Sequence, residues 1–245
     1  MTEPFHWSVL GERPYRNIFV ALMAIILVDA LTLNAATRGR FADLMVAAVL
    51  LAALVETVRS RHNAIWAIAL GVPAVAVRVI AAFRPDTTGQ NTTVLGFTAV
   101  FFAFLIWNLL HDLNTGNRST SERIFGALCA YVFIGFLFAL IFAHLEYRDP
   151  GSFYISNDLL AERTANESSQ LHIFTYFSFV TMTTLGYGDV TPISEHARTL
   201  AWLEALIGQL YLAVMVAGFV ALHMTESMRK NRGDPPPDGP GRNPS

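Results

Sequence analysis

Six stretches of the chain are almost wholly apolar and carry their charged residues at their ends. They run from Ile18 to Leu33, Phe41 to Val58, Ala64 to Phe83, Thr93 to Leu110, Ile124 to Leu145 and Thr199 to Met224. A helix needs about 20 such residues to cross a bilayer, and these stretches match that length. A seventh, Leu171 to Thr183, is long enough for a helix and too short for a crossing. The pattern predicts an all-α integral membrane protein with six transmembrane helices and a re-entrant pore helix before the last of them.

The residues just beyond the short stretch set the rest in order. Thr181-Met182-Thr183-Thr184-Leu185-Gly186-Tyr187-Gly188-Asp189 places two glycines around a tyrosine. Residues without a Cβ tolerate backbone angles that others avoid, so such a run can stay extended with its peptide planes turned one way. Non-helical backbone at membrane depth persists only where protein buries it or it lines a polar cavity. The loop is therefore expected to line a water or ion path.

Thr184-Leu185-Gly186-Tyr187-Gly188-Asp189 resembles the potassium-channel signature sequence, and the likeness extends from about Arg123 to Thr225. Gly208-Gln209-Leu210-Tyr211-Leu212-Ala213-Val214 is similar to short bacterial members. Leu185 stands where the family usually has valine, which keeps the carbonyl and changes the packing behind it. The resemblance implies passive potassium conduction, with carbonyls of Thr184, Leu185, Gly186, Tyr187 and Gly188 replacing the ion's hydration shell. One strand cannot surround an ion, so it also implies a homotetramer. Potassium is then the permeant ion and no cofactor is expected.

The same resemblance assigns supporting roles. Thr183 is expected to face the inner cavity, Tyr187 to point into a cuff that includes Tyr176 and Phe177, and Asp189 to accept a hydrogen bond from Tyr176. Gly208, nineteen residues beyond Asp189, occupies the place of the inner-helix hinge, with close packing on the pore helix as the other reading. Helical periodicity puts Gln209, Leu212, Val216, Val220 and Met224 on one face, expected to line the cavity and gate. Glu204 is expected to be hydrogen-bonded behind the filter.

Residues 18–118 read as a four-helix domain in the position of a voltage sensor. Voltage-gated relatives carry a basic residue at every third position of the fourth span, whereas Thr93 to Leu110 contains no lysine or arginine. Moving one charge fully across the membrane supplies about 2.3 kcal/mol per 100 mV, so steep voltage gating is not expected. A weakly voltage-sensitive channel and a nonconducting regulatory subunit are the alternative functions. Asp29 in the first span and Arg78 in the third either pair with each other or face water near a boundary.

Ser119 and Glu122 have capping-box spacing ahead of a pore domain spanning 119–226. Glu146 to Gln170 reads as a solvated turret, with five acidic residues against two arginines and a short helix started by Ser156 or Asn157. Residues 1–17 read as a cytoplasmic amino terminus and 227–245 as a disordered cytoplasmic tail. With that topology, ten basic residues lie inside and six outside, the sign expected of a multi-pass cell-membrane protein.

A net charge of −2 without a basic run gives no basis for nucleic-acid binding. The one cysteine, Cys129, is a packing residue, and the seven histidines lack metal-ligand spacing, so no enzyme is expected. The expected partners are further copies of the chain and lipid, with room for a separate regulatory subunit.

Overall fold

The computed structural model describes residues 14–31, 64–83, 92–115, 119–160 and 169–232. The expected second span, 41–58, and the outer parts of both termini lie outside the described residues.

Helix α1 (Pro14–Leu31) begins on a proline, whose missing N–H is no loss in a first turn. Helix α2 (Ala64–Phe83) coincides with the apolar block, and Pro73 lies inside it. Helix α3 (Thr92–Thr115) and helix α4 (Thr120–Arg148) make the most extensive helix pair among the described residues. After the short strand β1 (Phe153–Ile155) come helix α5 (Ser169–Met182), the strand β2 (Val190–Pro192) and helix α6 (Glu195–Arg232). Leu95–Leu113, Thr120–Arg148 and Glu195–Ala221 are each long and apolar enough to cross a membrane. The side chains of Asp29 and Arg78 lie outside the described ones.

Helix α4 is the spine against which α1, α3, α5 and α6 all pack. The side chain of Ser119 accepts from the Glu122 N–H at its start, but Glu122 does not complete the expected box. Its carboxylate is 3% exposed, and Oε2 instead accepts the backbone N–H of Tyr15 at 3.0 Å. A carboxyl oxygen thus meets the first turn of α1, where free N–H groups and the helix dipole favour an acceptor. Cys129 Sγ reaches the Tyr15 carbonyl, and the Tyr15 hydroxyl is hydrogen-bonded to Asp112 of α3. One tyrosine therefore joins three helices.

The turret departs from the solvated surface expected of it. Glu146 is buried, and its two carboxylate oxygens accept the N–H groups of Gly151 (3.1 Å) and Phe153 (3.2 Å). This closes the turn out of α4 and aims β1 at β2. The two strands pair antiparallel, with Phe153 opposite Pro192, Tyr154 opposite Thr191 and Ile155 opposite Val190. Beneath them Phe142, Phe153, Phe174 and Phe177 form a cluster of edge contacts with centroids 4.9 to 5.5 Å apart. Ser156 stands directly before a helical turn at 157–160 and accepts from the Leu160 N–H.

Ser194 caps α6 by accepting the Ala197 N–H at 3.2 Å, and Glu195 complements the dipole in the first turn. The helix continues through Arg232, beyond the boundary at 226, because no glycine or proline interrupts 219–232 and Gly233 comes next. Ala197, Ala201, Glu204 and Gly208 form its buried stripe. Gly208 lies where α6 crosses the end of α5: a Cβ there would stand 2.5 Å from Met182 Cγ and 3.0 Å from the Met182 carbonyl oxygen.

Because one of those two neighbours is backbone, Gly208→Ala is expected to push α6 away from α5 and cost about 1–3 kcal/mol. Thermal denaturation of the purified protein in detergent measures this. An unchanged midpoint would mean that the contact is slack.

Candidate ion-conduction site

The site begins where α5 stops. Thr184 N–H bonds to the Thr181 carbonyl (3.0 Å) and Leu185 N–H reaches back to the Val180 carbonyl (2.9 Å). This pair of bonds is a Schellman closure with Thr184 at the left-handed position. Its φ is 60°, the only positive value among the described non-glycine residues. Glycine is usual there, and an L side chain costs roughly 1–2 kcal/mol in that conformation. A threonine held at such a position points to a use for its hydroxyl.

Gly186 and Gly188 come next with φ of 57° and 83°. Positive φ therefore recurs at every second residue: 184, 186 and 188. Positive φ at alternate positions lets successive peptide planes turn the same way, the arrangement expected of a strand that lines a path with carbonyl oxygen. A ribbon of carbonyl oxygen is what a desolvated cation requires. Residues 183–188 are all exposed on the single chain, Leu185 by 59% and Tyr187 by 67%.

Asp189 pins the outer end. Its Oδ2 accepts the Tyr176 hydroxyl at 2.7 Å, Oδ1 accepts the Val190 N–H at 3.0 Å, and its carbonyl accepts the Ser156 N–H at 2.9 Å. Tyr176 also lies parallel to Tyr187, with centroids 6.5 Å apart and planes 7° from coplanar. Within the chain the cuff expected around Tyr187 consists of Tyr176. Phe177, the next residue along α5, is 5% exposed and turns its ring onto Phe142 and Phe153, because adjacent helical residues diverge by about 100°. Thr183 is exposed and its hydroxyl donates to the Phe179 carbonyl at 2.6 Å.

On α6, Gln209, Val216, Val220 and Met224 are exposed on this chain and Leu212 is half-buried. Trp202, Leu206, Leu210 and Val214 are also open. Apolar surface of this extent needs lipid or further protein. Gly208 faces the other way, onto α5.

Sequence reasoning did not anticipate the β1–β2 pairing, the Glu146 turn or the link from Ser156 to Asp189. The aromatic and β-branched run Phe153-Tyr154-Ile155, set between Pro150-Gly151 and Asn157, was the available signal for a strand.

Residues 134–224 match the ion channel family model. The matched segment runs from the middle of α4 through the filter-like loop to the exposed end of α6, which is the geometry just described. It supports ion-channel function and a membrane location. No curated protein and no solved structure matches the chain.

At 14 residues, about 21 Å, α5 is too short to cross the roughly 30 Å hydrocarbon layer. Tyr176 on it is partly buried and bonded to Asp189, and these two causes, in that order, push its phenol from 10.0 up to about 12. A folded-state value above the unfolded one gives stability that is complete below pH 10 and is lost as pH rises toward 12. Tyr176→Phe removes a hydrogen bond to a charged group, so a loss of about 1.5–3 kcal/mol is expected near neutral pH. The gap between variant and wild type should narrow in melts run between pH 10 and 12. A constant gap would assign the loss to ring stacking.

Proposed function

We propose that the chain is one subunit of a homotetrameric, potassium-selective channel of the cell membrane. The observation that carries this reading is the alternating backbone from Thr184 to Gly188, held at one end by the α5 closure and at the other by Asp189. Four copies around an axis enclose a file of oxygen cages, built from the carbonyls of Thr184, Leu185, Gly186 and Tyr187 with the Thr184 hydroxyl at the inner end. Gly188 continues the strand to the mouth. Each cage replaces water around a cation of matching size and field strength.

The fourfold axis gives the other parts their places. The carboxy-terminal ends of four α5 helices aim their negative dipole ends at the cavity and favour a cation there. Gln209, Leu212, Val216, Val220 and Met224 line the wall, with Met224 toward the cytoplasmic end. The uncovered faces of α6 then meet neighbouring subunits and lipid. Gly208 is both the contact with α5 and the place where α6 bends on opening. Six spans with both termini cytoplasmic complete the subunit, and potassium passes down its gradient with repulsion between ions offsetting their binding.

Purified protein in liposomes tests the proposal. A potassium gradient should drive flux through wild-type protein, with little sodium flux, and Gly186→Ala should abolish selectivity because its φ of 57° excludes a side chain without strain. Equal sodium and potassium flux, or none, would reject the reading.

Voltage provides a separate check. Helix α3 contains no lysine or arginine, so conductance should change only shallowly with potential. A steep conductance–voltage relation would show that charge elsewhere in the chain moves through the field.

A further inference from the structure

Glu204 lies in the first third of α6 and is 0% exposed. The hydrogen atoms around it do not suffice for the contacts it makes as an anion. Ser178 Oγ, also fully buried, is 2.7 Å from the carbonyl oxygen of Gly135 on α4 and within hydrogen-bond distance of Glu204 Oε1. A serine hydroxyl has one hydrogen and can donate once. A carboxylate and a carbonyl both only accept. If Glu204 were ionised, one of the two contacts would set acceptor against acceptor. Glu204 Oε2 has no partner among the described residues. A carboxylate would leave a bare anionic oxygen among apolar side chains, whereas a neutral acid leaves only an unpaired carbonyl, which is far less costly.

Both observations resolve with a single proton. We infer that Glu204 retains its carboxyl proton and donates it to Ser178, so that one directed chain, Glu204 to Ser178 to the Gly135 carbonyl, fastens α6 and α4 to the carboxy-terminal half of α5. Gly135 is where α4 can come this close: a Cβ there would stand 2.9 Å from the Phe179 ring and 3.1 Å from Met182 Cε. The joint lies between the filter-bearing end of α5 and the buried Phe174–Phe177 face. Glu204 is therefore a positioning residue for the pore helix, a role that rests on the channel reading above.

The groups that face Glu204 are few. Ser178 comes from α5, and from α4 come the Gly135 carbonyl and, nearby, the phenol of Tyr131, which donates to the Met182 carbonyl. No basic side chain is paired with Glu204 among the described residues. Ionisation would thus create two competing acceptors for the Ser178 hydrogen and release either α4 or α6 from α5.

Infrared spectra of the full-length protein in lipid test the proton directly. Wild type at neutral pH should show a deuterium-sensitive C=O stretch of a neutral carboxylic acid that is missing from E204Q and unchanged in E195Q, which alters an exposed acid. In S178A the band should persist and move to higher frequency, because the acid has lost its partner. Absence of any Glu204-dependent acid band, or a band that S178A does not move, overturns the inference.

Flux tests the role. E204Q, a neutral side chain of the same shape that can still donate, should sustain potassium flux as pH is raised while wild-type flux falls. Parallel decline of both would overturn the positioning role. Absence of flux in both, with the infrared band present, would count against the filter reading and leave the proton assignment standing.

Discussion

The structure depends on ending helix α5 and continuing as a strand that belongs to no helix or sheet. At Met182 the chain leaves α5, and for the next seven residues its peptide groups find no regular ladder. Two features keep that stretch in place: the back-bonded turn at Thr184 and Leu185, and the three hydrogen bonds at Asp189. Between them no donor among the described residues reaches the carbonyls, and the proposed function rests on that deficit. Backbone oxygen left unsatisfied in an apolar setting is tolerable only if something charged or wet comes to it.

Much of the remaining architecture serves to hold the two ends of that segment apart. Helix α4 supplies the wall behind α5, the Phe142–Phe153–Phe174–Phe177 cluster prevents α5 from rotating, and the β1–β2 pair carries the outer end back to α4. Glu146 makes this possible by accepting two N–H groups of the turn, one of which, at Phe153, would otherwise be buried unpaired. Small residues do comparable work on the inner side: Gly135 and Gly208 let α4 and α6 approach α5 to distances a methyl group would forbid.

The non-helical Gly-Tyr-Gly loop, the short α5 before it and the bounds of α2 were legible in the sequence because each is a local signal: a motif, a length, a period. The helix cap at Ser119 was legible for the same reason. The features that were not legible depend on partners distant in the chain. Glu122 has the spacing of a capping box, yet its carboxylate turns to Tyr15, 107 positions away, because the first turn of α1 presents free N–H groups there. Glu146 reads as one more turret charge until the fold buries it. Phe177 comes directly after Tyr176 in sequence, and only the packing of α4 against α5 tells which of the two rings faces Tyr187. The match to ion channels covers 134–224, so the four-helix reading of the preceding segment rests on its hydrophobic pattern and on α1, α2 and α3.

The central claim is that four such ribbons meet on one axis and offer main-chain oxygen to a bare cation. A structure of the assembled protein determined with thallium in place of potassium, with anomalous scattering recorded, measures this most directly. The account predicts a row of peaks on a fourfold axis, each level with carbonyls of residues 184 to 187 from four chains. An assembly without a fourfold axis, or one whose axis carries no thallium at that level, would contradict it.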